Sequence, residues 1–444
     1  MLFNSYPFFC FLFLALPIYY LLNPKGRYIY LLLCSGIFFG DSFDFFIFLL
    51  SVSCNAVGAF YLIKLRKTGL FLKIFFGSLV FINILYLAYF KYFYTGLIPL
   101  AISFYTFEQI TYLSYIAFSK ENESNPFSIK DYLLFIAFFP RLLAGPIYYY
   151  GEYKDKLQQS LSQAISWDNI GRGMSIFCLG LFKKVVCADR LSLIVDSLYS
   201  SPEKFSTVDT WFATLAYSLQ IYFDFSAYSE MALGIGMMFG VILPLNFNSP
   251  YKATSIIDFW SRWHMTLSRF IKDYVYIPLG GNRTNQTGNI IFTMSLAGLW
   301  HGSGLNFLAW GSLHGILIAS NHFLRRYNLF SNLPDFLKIL FVFIIINTTW
   351  IFFRASSFND SFQILHQYIG FSSVSGFHFG KKNIFMVMIL MGIIFTMPNI
   401  NELFFTDHFL KFKQSKLWGI FCLGLFIYAY QQMDQVAAFI YFNF

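Results

Sequence analysis

Run after run of apolar residues, each about 17 to 25 residues long and nearly free of charge, follows along this chain with only short polar intervals between them. That pattern leaves few folds open. A segment surrounded by hydrocarbon must satisfy its backbone hydrogen bonds internally, so it spans as a helix or as part of a closed barrel. The runs here are continuous, with no apolar and polar residues in alternation, which selects helices. The fold class is therefore an all-α polytopic membrane protein. Composition agrees, with 57% of the 444 residues hydrophobic and 12% charged, whereas soluble domains carry about 25% charged residues.

Candidate spans begin near 6–22, 27–40, 44–63, 70–90 and 98–118, continue near 131–149, 172–188, 208–223 and 228–243, and resume near 289–300, 304–323, 336–353, 384–399 and 416–432. The total expected is about 11 to 13 membrane-crossing or re-entrant helices. Basic residues follow the first, third and fifth spans (Lys25 and Arg27; Lys64, Arg66 and Lys67; Lys120), and acids (Asp41, Asp44) follow the second. Positive charge stays on the cytosolic side, so the N-terminus is placed outside. The same rule accounts for the excess of 31 Lys and Arg over 22 Asp and Glu, and no nucleic-acid partner is expected. The apolar start, Met1 to Leu22, lacks preceding basic residues and a small-x-small cleavage site, so it reads as a retained first helix. Six scattered cysteines show no CxxC pair, and no metal site is expected. No repeat or linker divides the chain. It reads as one integral membrane domain over 1–444, with N-terminal spans in 1–120, a motif-bearing core in 131–323 and C-terminal spans in 336–444.

Charged and polar groups at membrane depth are costly and ask for a reason. The segment from Asn246 to Arg283 sets Asp258-Phe-Trp-Ser-Arg-Trp-His264, Arg269, Lys272, Asp273 and Arg283 between spans. Read alone, it fits an interfacial amphipathic helix with tryptophans at headgroup depth and Arg262, Arg269 and Lys272 on the wet face. His301 stands in Gly298-Leu-Trp300-His301-Gly302, inside an apolar run. A neutral imidazole can take a proton from a hydroxyl and return it to a leaving group, which acyl transfer to an alcohol requires. A structural histidine bonded to a carbonyl is the other reading. His314, thirteen residues further on, would lie about 20 Å from His301 along a continuous helix and is read as structural. Asp224 and Glu230 form an acidic cluster that lines a cavity or pairs with a cation of the 262–283 segment. Phe139-Pro-Arg141 through Gly145-Pro146 reads as a broken or re-entrant helix, or as a kink with a snorkelling arginine.

The strings FPRLLAGPI (139–147), YFDFSAYSEMALGIGMMFG (222–240), LPLNFNSPY (243–251), DFWSRWHMTLSRFIKDYVYIPLGGNR (258–283) and GLWHG (298–302) occur in one order. Together they resemble the membrane-bound O-acyltransferase family, nearest its alginate O-acetyltransferase branch with peptidoglycan-acetylating members, and more distantly the D-alanyl transfer proteins. The resemblance runs from about Ile98 to the closing FIYFNF (439–444) and is specific over Tyr222 to Gly315. It implies that His301, in the WHG string, is catalytic at the floor of a cavity reached from both membrane faces, and that His264 is a second functional position. Trp300, Asp224, Arg262, Arg269, Lys272 and Arg283 are the candidate substrate-binding residues.

The function expected from the resemblance is transfer of an acyl group, acetyl in the first instance, from a cytosolic thioester such as acetyl-CoA to an extracytoplasmic polysaccharide, directly or through a separate extracytoplasmic transferase. No bound cofactor is expected. The location expected is the bacterial cytoplasmic membrane, with lipid as the surrounding partner. A polytopic transporter, or a non-catalytic scaffold of a polysaccharide modification or export complex, would also place histidines, carboxylates and broken helices in the membrane.

Overall fold

The computed structural model describes residues 1–39, 42–119, 128–142, 145–329, 332–370, 372, 374–406, 408, 411–433 and 439–440. Asp41, Lys120 and most of the closing FIYFNF string lie outside them. The described residues are helical throughout their regular structure, without strand. They gather into two compact units: Met1–Leu179 with Tyr228–Pro244 and Gln414–Cys422, and Gly180–Ala227 with Leu245–Lys413 and Leu423–Phe444.

The first unit opens with α1 (Tyr6–Leu21), whose first turn is closed by the Ser5 hydroxyl accepting from Phe8 N. Next come α2 (Pro24–Phe39), α3 (Ser42–Leu65), α4 (Leu70–Ala88) and α5 (Ile102–Phe118). Among the described residues, Phe43–Thr68, Leu70–Phe93 and Asp335–Arg354 are long and apolar enough to cross a bilayer, and Tyr6–Leu21 is a shorter apolar helix. Side-chain amides hold three of these helices together: Asn55 donates to Asn83 at 3.1 Å and to Gln109 at 2.7 Å, and Ser51 donates to Gln109 at 3.0 Å. Such interhelical bonds are worth about 0.6 to 2 kcal/mol each in a membrane. Arg27, read from sequence as a topology marker, is also a buried cap, donating to the Tyr19, Leu22 and Leu161 carbonyls.

The expected span at 131–149 is broken, as its proline and glycine suggested. α6 (Ile129–Ala137) stops at Phe138, α7 (Phe139–Leu142) is one turn, and α8 (Tyr150–Ser162) follows. Arg141 does not snorkel. It is 1% exposed and pairs with Glu108 of α5 at 2.9 Å, lying over the Phe135 and Tyr153 rings. α9 (Trp167–Phe182) runs on into a π-helical stretch, Lys183–Ala188.

In the second unit, α10 (Asp189–Ser200) leads to α11 (Thr207–Met238). The two spans expected at 208–223 and 228–243 are one helix of 32 residues, about 48 Å long. Its last part, from Tyr228, belongs to the first unit. The polar segment between spans folds as two short helices, α12 (Ile256–Arg262) and α13 (Met265–Ile271), with a π turn at Lys272–Tyr276. α14 (Gln286–His301) and α15 (Leu305–Arg326) then pack against each other, followed by α16 (Asp335–Arg354), α17 (Phe358–Tyr368), α18 (Lys381–Thr396), α19 (Ile400–Phe404) and α20 (Lys416–Gln431), whose first part, to Cys422, belongs to the first unit. Ser218 of α11 donates to Asn347 of α16 at 2.7 Å, and Asn347 donates to the Tyr368 hydroxyl of α17 at 3.1 Å.

Candidate active site

Two glycines make the α14–α15 contact possible. A Cβ on Gly298 would lie 2.2 Å from the Phe307 carbonyl oxygen, and one on Gly311 would lie 2.3 Å from that of Met294. With only hydrogen there, the two backbones touch, and the intervening turn Gly302-Ser303-Gly304 is short. His301 is the last residue of α14, where Gly302 N donates back to Leu299 O at 3.2 Å. The ring therefore sits at the closed end of a tight helical hairpin.

His301 is 4% exposed. Its ring lies 4.6 Å from Trp300, 5.3 Å from Trp310 of α15 and 5.0 Å from Phe353 of α16, each edge-on. Trp310 stacks in turn on Trp350 at 5.7 Å. Three helices thus supply an aromatic box around one imidazole. Trp310 and Phe353 were not singled out in the sequence. A tryptophan nine residues beyond the histidine was the available signal.

His264 is brought to the same region. It lies between α12 and α13 with φ +42°, a left-handed conformation that costs about 1 kcal/mol or more and collects at functional sites. Asn246 holds this turn: its carbonyl accepts from Met265 N at 2.9 Å and its side chain accepts from the Thr266 hydroxyl at 2.6 Å. The His264 ring is 1% exposed and stands 4.6 Å from Phe225 and 6.4 Å from Trp300. Trp300 accordingly neighbours both histidines. His264 lies outside the spans, and burial pushes its pKa down to about 3, so the ring is neutral at working pH.

His314 occupies a different role. The chain reverses at residues 302–304, so the continuous-helix spacing from His301 does not apply, and both histidines border Trp310. The His314 nitrogens are engaged: Trp260 Nε1 donates to Nδ1 at 3.2 Å, and the Thr349 hydroxyl bonds Nε2 at 3.0 Å. These bonds tie α12, α15 and α16 together, in keeping with the structural reading.

The remaining candidates are dispersed. Asp224 is 1% exposed and meets Lys184, not a cation of the 262–283 segment: Lys184 Nζ lies 2.7 Å from Asp224 Oδ1 and 2.7 Å from Asp189 Oδ1. Asp224 also accepts from Ile440 N at 2.8 Å. The π stretch at Lys183–Ala188 carries this buried lysine, which the sequence reading passed over. Arg262 pairs with Asp258 at 2.8 Å one helical turn away, and Arg269 faces Asp273 at 3.8 Å. Arg269, Lys272 and Arg283 are exposed, while Phe259, Trp263, Leu267 and Phe270 of the same segment are buried. This is the amphipathic arrangement that the interfacial reading describes. Among the described residues, no three His, Cys, Asp or Glu side chains converge as metal ligands.

The family model for membrane-bound O-acyltransferases matches residues 61–359, which include both histidines and begin well before the motif strings. The chain is 38% identical over 400 residues to a peptidoglycan O-acetyltransferase of Helicobacter pylori, covering 78% of this chain and 75% of that one. It is 39% identical over 271 residues to a probable alginate O-acetylase of Azotobacter vinelandii, spanning 60% of this chain and about half of the relative, 53%. A teichoic acid D-alanyltransferase of Bacillus subtilis is 26% identical over 239 residues, 52% of this chain and 60% of that protein. With two thirds of its length matched by the family and a buried histidine at the end of α14, this chain belongs to the membrane-bound O-acyltransferase family.

Proposed function

We propose that this protein moves an acetyl group from a thioester donor on the cytosolic side, acetyl-CoA in the simplest case, to hydroxyls of a polysaccharide outside the bacterial cytoplasmic membrane. The acceptor is a wall or surface glycan of the kind named for its relatives, peptidoglycan or alginate. The observation that carries the reading is His301, buried at the end of α14 in a box of Trp300, Trp310 and Phe353.

In this reading, His301 accepts the proton of the acceptor hydroxyl as its oxygen attacks the acyl carbonyl. The carbonyl carbon–sulfur bond then breaks, and the imidazolium returns the proton to the departing thiolate, leaving an ester and a free thiol. The aromatic walls exclude water that would otherwise hydrolyse the donor. His264, neutral and near Trp300 as His301 is, orients the acceptor or donates to the developing oxyanion. Arg262, Arg269, Lys272 and Arg283 serve as anchors for anionic groups at the membrane surface. Acetyl reaches the polymer directly or through a separate extracytoplasmic transferase.

The test is the O-acetyl content of surface polysaccharide and peptidoglycan from cells carrying wild type or His301→Ala at matched membrane levels. Loss of ester from one glycan supports the mechanism and names the acceptor. Unchanged ester in every fraction rejects it.

A further inference from the structure

A cavity in the second unit has neither His264 nor His301 in its lining, and that lining has a chemistry of its own. It encloses about 630 Å³ and is bordered by Arg190 of α10, Lys204 and Phe205 after it, His378 and Phe379 of the 372–380 segment, and Asn383 of α18. That volume is within the usual range for small-ligand clefts, about 300 to 1,000 Å³. Cations and flat rings share its wall. Phe205 and Phe379 stack nearly parallel, 5.8 Å apart at 8°, and Phe379 packs on Phe212 at 5.0 Å.

The cavity is built rather than incidental. Asp209, at the start of α11, accepts from His378 N at 2.8 Å, from the Ser206 hydroxyl at 2.7 Å and from Ser206 N at 3.1 Å, and lies 2.7 Å from His378 Nδ1. Ser372 donates to Phe205 O at 2.9 Å. These bonds fix Ser372 and His378 beside the start of α11. Arg190 is held by Gln432 through one guanidinium nitrogen, while its buried Nε has no hydrogen-bond partner among the described residues. A buried donor of this kind costs free energy until something accepts from it.

Its side of the membrane follows from charge within the unit. Arg325, Arg326 and Lys338 flank the short turn between α15 and α16, and Arg325 donates to Ser255 at 2.9 Å at the head of α12. By the positive-inside rule this end faces the cytosol. α16 runs from there to Arg354, which pairs with Asp196 of α10 at 2.6 Å. α10, and with it the cavity, therefore lies at the opposite, extracytoplasmic end. His301 closes its hairpin at that end as well: Phe353 touches its ring, Arg354 follows Phe353, and Ser197, next to Asp196, borders the cavity.

We propose that this cavity is a recognition subsite for a carboxylate-bearing sugar of the acceptor glycan, a uronic acid or a muramyl peptide, which stacks on Phe205 and Phe379 and pairs its carboxylate with Arg190 and Lys204. Arginine offers a planar fork to a carboxylate, and aromatic faces suit the apolar face of a sugar ring. The inference rests on the proposed acetylation of a glycan and adds to it the charge of the acceptor and the place where it is read.

The experiment uses the full chain in detergent and two charged probes, an oligouronate and a muramyl-peptide disaccharide, each against its carboxyl-reduced counterpart. Wild type is expected to bind one charged probe about tenfold tighter than its reduced form, with the preference fading as salt is raised. Arg190→Gln/Lys204→Gln is expected to abolish the preference while leaving the weak binding of the neutral glycan and the melting temperature unchanged, and Arg190→Lys to retain part of it. Equal binding of charged and neutral probes by wild type overturns the proposal. So does a double variant that keeps its glycan preference, including one that instead loses a protein partner on purification. Ester formation separates the two levels: if His301→Ala loses glycan acetylation and the double variant does not, the subsite falls and the acyltransferase reading stands. If His301→Ala leaves acetylation intact, both fall.

Discussion

Adding one methyl group at Gly298 is expected to cost activity far more than stability. The new Cβ would lie 2.2 Å from Phe307 O and 3.1 Å from Gly311 Cα, both of them backbone atoms that no rotamer change can withdraw. A carbon and a carbonyl oxygen rest no closer than about 3.3 Å, so α14 and α15 must part by about 1 Å. Overpacking of this size costs about 1 to 3 kcal/mol. His301 is three residues away on the same helix, and its position is set by the hairpin. Misplacing a reacting group by about 1 Å lowers the rate about a hundredfold. Gly298→Ala should therefore accumulate in the membrane and unfold at a modestly lower temperature, yet transfer acetyl about a hundred times more slowly than wild type. Gly36→Ala is the control, because a Cβ there meets nothing within 4 Å. The assay is initial rate of glycan ester formation in membranes, with thermal unfolding of the purified variants beside it. A Gly298→Ala protein with the wild-type rate would refute the claim that close helix approach places His301.

Three further outcomes follow from buried polar groups. Glu108→Leu leaves the Arg141 guanidinium, 1% exposed, without its carboxylate, and should destabilise by about 3 to 5 kcal/mol, while Glu108→Leu/Arg141→Met should recover most of that in thermal unfolding. Lys184→Met leaves Asp189 and Asp224 buried with no ammonium between them and should fail to accumulate, whereas Lys184→Met/Asp224→Asn should accumulate measurably better on immunoblots of membranes. His314→Leu strands the Trp260 N–H, while the Thr349 hydroxyl keeps its bond to Ile346 O, lowering stability by about 1 to 3 kcal/mol, but the protein that remains folded should keep measurable acetyl transfer, unlike His301→Ala.

What could be read from the chain follows the range of the forces involved. Helices α3, α4 and α16 are legible because an apolar run of sufficient length has one solution in a bilayer. The break before Arg141 is legible because proline and glycine act locally. The division of α11 into two spans failed at Asp224, where a charge and hydroxyls looked like a loop. Lys184, forty residues upstream in sequence, meets that charge, and hydropathy cannot register a partner so distant. Glu108 escaped notice for the same reason. At the candidate site, His264 and His301 stand out in the sequence through their motifs, but the Trp300 ring near both, the Trp310 and Phe353 walls, and the reversal that brings His301 to Trp310 depend on how three helices pack. Arg262 pairs with Asp258 because the two are one turn apart, a relation visible in the sequence.

Transfer of radiolabel from acetyl-CoA to glycan ester, followed in membrane vesicles carrying wild type or His301→Ala at equal levels, tests the central claim most directly. Labelled ester and an equivalent amount of free thiol are expected with wild type, and neither above background with His301→Ala. Label carried across the membrane with the thioester intact, or equal ester formation by the two proteins, would contradict it.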